Sequence, residues 1–301
     1  MGAQITNVGT NTRKDDVQHV WRKLILTCCL ILVSLFAEPA LAEDRPQRVV
    51  SLNVCTDQMA MLVAEEGQIY SLSHLATDAS VSMMVEEARR YPANSGRAEE
   101  VFMMKPDLVI AGSYTTRTTV ELLRKLGIRV EEFTPATSLD DVRVELRRMG
   151  QLLGQEERAA TVIAEFDAKL AELTLQPATG KSVALYYANS YTSGGGTLVD
   201  AVVEVAGLRN ISRNIGLTGL ARLQLEDLIT ASPDIVVLGD HQYSTPALAQ
   251  ANFSHPAFVS FIRGRTVVAV PPPETICGGP WNLEAAHALR EAALGQEQGD
   301  T

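Results

Sequence analysis

Two glutamates open a motif that occurs twice. Glu99 begins EEVFMMKPDLVIAG and Glu226 begins EDLITASPDIVVLG. In both copies a short apolar helical stretch leads, through a Pro-Asp pair, into a buried strand. The copies lie 127 residues apart (Glu99 and Glu226, Asp107 and Asp234). That is too long for a solenoid repeat and suits two lobes of one duplicated architecture. Each Glu falls in the first turn of its helix, where the dipole favours a carboxylate. A second group of residues is flat and aromatic: Tyr114, Tyr191, Tyr243 and Trp281, with Arg117, His74 and His241 as polar elements. Such a surface suits a large, rigid ligand such as a metal chelate. Cys55, next to Thr56, and Cys277 form the third group. They read as buried small hydrophobes, cleft-lining thiols, a disulfide or soft metal ligands. A disulfide requires Cα atoms within about 7 Å.

The elements that must position these groups alternate. RVVSLN (48–53) reads as a buried strand, followed by a helix that Thr56 or Asp57 can cap and that closes at Gly67. A strand at 69–75, the Glu99 helix, DLVIAG, a helix at 118–126 and GIRVEEF complete a first lobe. Ser138 to Asp141 fits a capping box, opening an apolar stripe through Val142, Leu146, Met149 and Leu153 up to Gly154. Residues 155–175 resume the helical pattern over ~30 Å, enough for one helix to bridge two lobes. A second lobe repeats the plan. It has SVALYYANS (182–190), the turn YTSGGG, a helix at 197–206, the Glu226 motif, RTVVAV (265–270) and a last helix at 283–294. Gly194 to Gly196 match no phosphate-loop pattern and read as a tight turn. The expected fold class is α/β. Two doubly wound parallel-sheet lobes (43–137 and 176–301) are joined through a helical linker (138–175) by one long bridging helix, with a ligand cleft between them.

Ligands of such sheets bind beyond the carboxyl ends of the strands. On this topology Cys55, Thr56, His74, Tyr114 and Arg117 come to the cleft from one lobe. Tyr191, His241, Tyr243, Cys277 and Trp281 come from the other.

Arg22-Lys23, the apolar run LILTCCLILVSLFA (24–37) and Pro39-Ala40-Leu41-Ala42 read as a secretory signal peptide cleaved after Ala42. That predicts a secreted protein. The remaining 259 residues carry 22 basic and 33 acidic side chains. A balance that acidic has no electrostatic footprint for nucleic acid.

Together and in order, RVVSLN, the two Glu/Pro-Asp copies, the bridging helix and CGGPW (277–281) resemble one family. It is the periplasmic solute-binding proteins of ABC importers for ferric siderophores, haem and cobalamin, the helical-backbone class. The resemblance covers essentially all of the chain beyond the leader. It implies a monomeric binding protein with no resident cofactor and no catalytic residues. Its partners are a metal chelate (corrinoid, ferric siderophore or haem) and a permease dimer with its cytoplasmic ATPase. It also implies that Glu99 and Glu226 dock into arginine pockets of the permease, where charge-assisted bidentate pairing fixes orientation. Two alternatives compete. A zinc or manganese carrier needs three or four converging His or carboxylate ligands, and only His74, His241, His255 and His287 follow the leader. A periplasmic enzyme on the same architecture needs a nucleophile and a base, and neither G-x-S-x-G nor H-E-x-x-H occurs.

Overall fold

The computed structural model describes Gly2, residues 45–239 and residues 248–295. The leader expectation, apart from Gly2, falls outside these residues, and so do His241 and Tyr243.

The first lobe is built on five short strands. In chain order they are β1 (Val49–Ser51), β2 (Ile69–Ser73), β3 (Ala93–Asn94), β4 (Leu108–Gly112) and β5 (Val130–Phe133). They pair in parallel in the order β3-β2-β1-β4-β5, a doubly wound arrangement. Helices α1 (Val54–Val63), α2 (Val85–Ala88), α3 (Ala98–Met103) and α4 (Arg117–Lys125) connect them. Successive strand residues enter different cores. Val49, Leu108 and Ile110 pack on one face, and Val50, Val109 and Ala111 pack on the other with α3 and α4. Both faces of the sheet are covered, which is why its strands read as unbroken apolar runs. Helix α1 starts earlier than its sequence indicates. Its cap is Asn53, whose side chain accepts from the Cys55 amide, and not Thr56 or Asp57.

Helices α5 (Leu139–Leu153) and α6 (Glu156–Thr174) follow. The capping box forms as expected: Ser138 accepts from the Asp141 amide and Asp141 reaches back to the Ser138 amide. Gly154 ends α5 in the left-handed conformation, and α6 folds back close to it. A Cβ on Gly150 would stand 2.5 Å from the Ala159 Cβ, so only glycine permits this approach. Ile163, Phe166 and Leu173 of α6 join the core shared by the strands of both lobes. Helix α6 therefore packs on α1 and on helices of the second lobe, and bridges the two.

The second lobe has a four-stranded parallel sheet. Its strands are β6 (Ser182–Tyr186), β8 (Arg209–Asn210), β10 (Ile235–Gly239) and β11 (Thr266–Val270), in the order β11-β10-β6-β8. Its helices are α7 (Leu198–Val205), α8 (Ile211–Asn214), α9 (Leu225–Ala231), α10 (Ala251–Ser254), α11 (Pro256–Phe261), α12 (Pro273–Ile276) and α13 (Trp281–Gly295). The segment expected as a turn is partly a strand: β7 (Tyr191–Ser193) pairs antiparallel with β9 (Leu220–Arg222). The amides of Gly194 and Gly195 are spent on the carbonyls of Gly219 and Leu217, extending this antiparallel pair. No anion cradle is left there.

The repeated motif has a structural explanation. The Asp107 carboxylate accepts from the amides of Gln47 and Arg48 at the start of β1. Asp234 does the same for the amide and hydroxyl of Ser182 at the start of β6. Lys105 and Ser232, each directly before the proline, both turn through positive φ (51° and 46°). Both copies therefore break a helix and clamp the first strand of their lobe. Asp107→Ala and Asp234→Ala are each expected to cost about 1 kcal/mol in denaturant unfolding. A cost at one site only would show that the copies are not equivalent.

Candidate ligand site

An apolar concavity of the second lobe lies where the strand order predicts it. The strand order reverses between β6 and β10, and ligands of open α/β sheets bind beyond the carboxyl ends at such a point. A cavity of about 600 Å³ opens there. Its walls include Leu185, Tyr187 and Tyr191 around the end of β6, and Val237 and Gly239 of β10. Val270 of β11, Gln250 and Phe253 beside α10, and Ile276 of α12 complete them. Among the described residues no lining side chain carries a formal charge.

Local backbone places the two tyrosines. Asn189 and Ser190 both adopt positive φ (55° and 59°), an uncommon pair for non-glycine residues. The turn brings the Tyr187 amide to the Tyr191 carbonyl at 2.8 Å. Asn252 donates to the Tyr187 carbonyl at 2.9 Å, and Arg222 lies over the Tyr191 ring at 5.3 Å. A Cβ on Gly239 would touch the Tyr187 ring at 3.3 Å, so this glycine keeps the cavity open beside the phenol. Burial pushes the Tyr187 phenol above its usual range, partly offset by a hydrogen bond with Ser193.

The first lobe reaches this wall through Cys55. Cys55 and Cys277 form a disulfide with Cα atoms 5.1 Å apart, so of the open readings the covalent one is realised. Cys277 follows Ile276 of the cavity wall and Cys55 follows β1. The bond therefore ties the carboxyl edge of the first sheet to the ligand pocket.

Trp281 corrects an expectation. It is only 5% exposed, packed with Val54 and Cys277 and against Val81, Met83 and Met84 of the first lobe. Its indole donates to the Cys277 carbonyl at 2.8 Å, and Asn282 donates to the same carbonyl at 3.0 Å. The two glycines of CGGPW are required by packing. A Cβ on Gly279 would meet the Trp281 ring at 2.2 Å, and one on Gly278 would meet Val142 of α5 at 2.9 Å. The motif thus locks the lobes and the helical linker together and does not offer an aromatic face to a ligand. Thr56 is buried too, hydrogen-bonded to the Ser51 hydroxyl and the Asn53 carbonyl. Buried Thr56 and Cys277 have no surface to give a cleft.

Of the remaining expected residues, Tyr191 lines the cavity. His74, Tyr114 and Arg117 are exposed just beyond the ends of β2 and β4 and are not part of its wall. Tyr187, Phe253, Gln250 and Ile276 were missed. Tyr187 sits in an apolar run that reads as plain strand, and Phe253 carries no local signal of its own. Among the described residues no three His, Cys, Asp or Glu side chains converge as metal ligands.

Glu99 and Glu226 occupy the second position of α3 and α9, and both are exposed. Among the described residues neither has a hydrogen-bond or ion-pair partner. Glu100 differs: it accepts from the amide and hydroxyl of Ser95, so it is committed to its own helix start.

The sequence model of one family, described as periplasmic binding protein, matches residues 49–273. A cobalamin-binding protein of Halobacterium salinarum is 31% identical over 65% of this chain, and the match spans only 55% of that relative. A vitamin B12-binding protein of Vibrio campbellii is 23% identical over 73% of this chain and 80% of its own length. Among solved structures, the periplasmic heme-binding protein RhuT from Roseiflexus sp. RS-1 superimposes with a TM-score of 0.69. It is 21% identical, over 83% of this chain and 98% of that one, and shows likeness of fold.

Proposed function

Since the chain belongs to the periplasmic binding protein family, we propose that it is the substrate-binding component of an ABC importer that captures a corrinoid. In this reading it is exported by the leader, cleaved after Ala42, and works as a monomer in the periplasm. It hands the ligand unchanged to a permease dimer driven by its ATPase, with Glu99 and Glu226 as the docking carboxylates. Among the described residues no helix is long and apolar enough to cross a membrane.

The observation that carries the choice of ligand is the chemistry of the cavity. Among the described residues its wall is mainly aromatic and aliphatic, with a few neutral polar side chains and no formal charge. A corrin ring offers a broad face to such a surface, while a multiply anionic catecholate siderophore requires several cations close by. Three arginines that precede Glu226 do not supply them. Arg209 is bound to the Gly180 carbonyl, Arg213 to Glu204, and Arg222 rests on Tyr191. The cobalamin-binding names of two relatives support the same choice.

Calorimetric titration of the mature protein with cobalamin, haem, a ferric hydroxamate, a ferric catecholate and zinc tests this. Saturable 1:1 binding of cobalamin is expected, weakened about tenfold or more in Tyr191→Ala through loss of a buried aromatic contact. Tight binding of the catecholate with no response to cobalamin would overturn the ligand. Turnover of any bound compound would overturn the importer reading.

A further inference from the structure

The repeat contains a second matched feature, one helical turn beyond each docking glutamate. Phe102 stands three residues after Glu99, and Ile229 three residues after Glu226, again 127 apart. Residues at this spacing share one helix face. Both side chains are exposed, Phe102 at 45% and Ile229 at 38%. The next position breaks the symmetry: Met103 is 75% exposed, while its counterpart is the polar Thr230. Beside α3, helix α4 adds Leu122 and Leu126, exposed at 40% and 45%.

Helices that return between parallel strands start at the carboxyl edge of the sheet. Glu99 and Glu226, at the starts of α3 and α9, therefore lie toward the cleft-bearing face of each lobe. The apolar side chains continue from the two carboxylates on that face.

We propose that each docking carboxylate is the polar half of a mixed patch whose apolar half is Phe102 with Met103 on the first lobe and Ile229 on the second. The first-lobe patch carries the larger share of the affinity. The inference rests on the permease-docking reading of Glu99 and Glu226. The partner it fits is a membrane-protein surface with two basic pockets, each bordered by an apolar shelf. Carboxylates steer and orient the encounter, while desolvated apolar area retains the complex. Because the two shelves demand unequal area, a two-fold symmetric permease would be gripped more firmly by one lobe than by the other.

The test measures binding of the cobalamin-loaded protein to its permease–ATPase complex reconstituted in lipid nanodiscs, across a salt series. Four proteins are compared: wild type, Phe102→Ser with Met103→Ser, Ile229→Ser, and Glu99→Ala with Glu226→Ala. The double serine variant should bind about tenfold more weakly and Ile229→Ser about threefold, with the salt slope unchanged in both. The double alanine variant should weaken binding and flatten the salt slope. Ligand affinity should be the same in all four, and the serine variants, which truncate partly covered side chains, should stay folded with at most a small drop in melting temperature. Wild-type affinity in both serine variants, with loss in the alanine variant, would overturn this inference and leave carboxylate docking standing. So would a larger loss from Ile229→Ser than from the first-lobe pair. Wild-type affinity in the alanine variant as well would bring down the docking reading itself.

Discussion

Reduction of the Cys55–Cys277 bridge is expected to lower the melting temperature by about 10 °C. The bond closes a loop between residues 222 apart, almost the whole folded chain. In the chain-entropy view, a loop that long restrains the unfolded ensemble by about 5 kcal/mol. For a chain of this size each kcal/mol moves the melting point by roughly 2 °C or more. The native lobes do not fall apart when the bond opens, because Val54, Met83, Met84 and Trp281 still pack across the same seam. The loss should therefore appear in thermal stability, with secondary structure intact at 25 °C. Calorimetric scans with and without a dithiol reductant measure it, and Cys55→Ser with Cys277→Ser should reproduce the reduced protein without reductant. A shift of less than about 2 °C in both cases would show that the noncovalent seam already carries the lobe contact.

Replacing Asp57 with asparagine should stabilise the protein increasingly as pH rises from about 4 to 7, by up to about 4 kcal/mol. Asp57 lies in the first turn of α1 and is fully buried. It accepts from the Ser73 amide at 3.2 Å and from the Ser73 hydroxyl. Burial pushes its pKa up from 3.8 to about 7, and hydrogen bonds from Ser51 and Ser73 together with nearby His74 oppose the rise without cancelling it. The sign follows from proton counting. Between pH 4 and 7 the folded protein keeps the proton and the unfolded chain has lost it, so each pH unit upward destabilises the wild type. Below the unfolded pKa both states hold the proton, and above about 7 both have lost it, so the contribution is level there. Asparagine is neutral throughout, which makes the wild-type–variant difference the cleanest readout. Other carboxylates cancel in it. Denaturant midpoints of both proteins at pH 4.5, 6 and 8 decide the matter. A constant difference across that range would place the Asp57 pKa near its ordinary value.

Much of the architecture was legible because it is written locally. Apolar runs such as LVIAG and SVALY mark strands covered on both faces, and the period of Val142, Leu146, Met149 and Leu153 marks a helix. Ser138 and Asp141 mark that helix's start by capping chemistry confined to one turn. The repeated Glu/Pro-Asp segment announced two lobes, because a duplicated segment keeps its residue order and spacing. It also put Glu99 and Glu226 at equivalent helix positions without any knowledge of the fold.

Features that depend on distant partners were not legible. Strands β7 and β9 are three residues each and exist only because each supplies the other's hydrogen bonds. The start of α1 moved to Asn53 because Asp57, a plausible cap by type, is drawn under the sheet edge to Ser73.

By itself, then, the sequence determined the order of the elements, the duplication, the linker helix and the two solvent-facing glutamates. Each of these is encoded in periodicity, capping or repetition over a few residues. Only the tertiary structure decided three things: that Cys55 and Cys277 are bonded, that Trp281 is a seam residue, and that the cavity is walled by Tyr187, Tyr191, Phe253 and Ile276 of one lobe. The physical reason is that pairing, burial and concavity arise where chain segments far apart in sequence meet, and no local pattern records which segments those are.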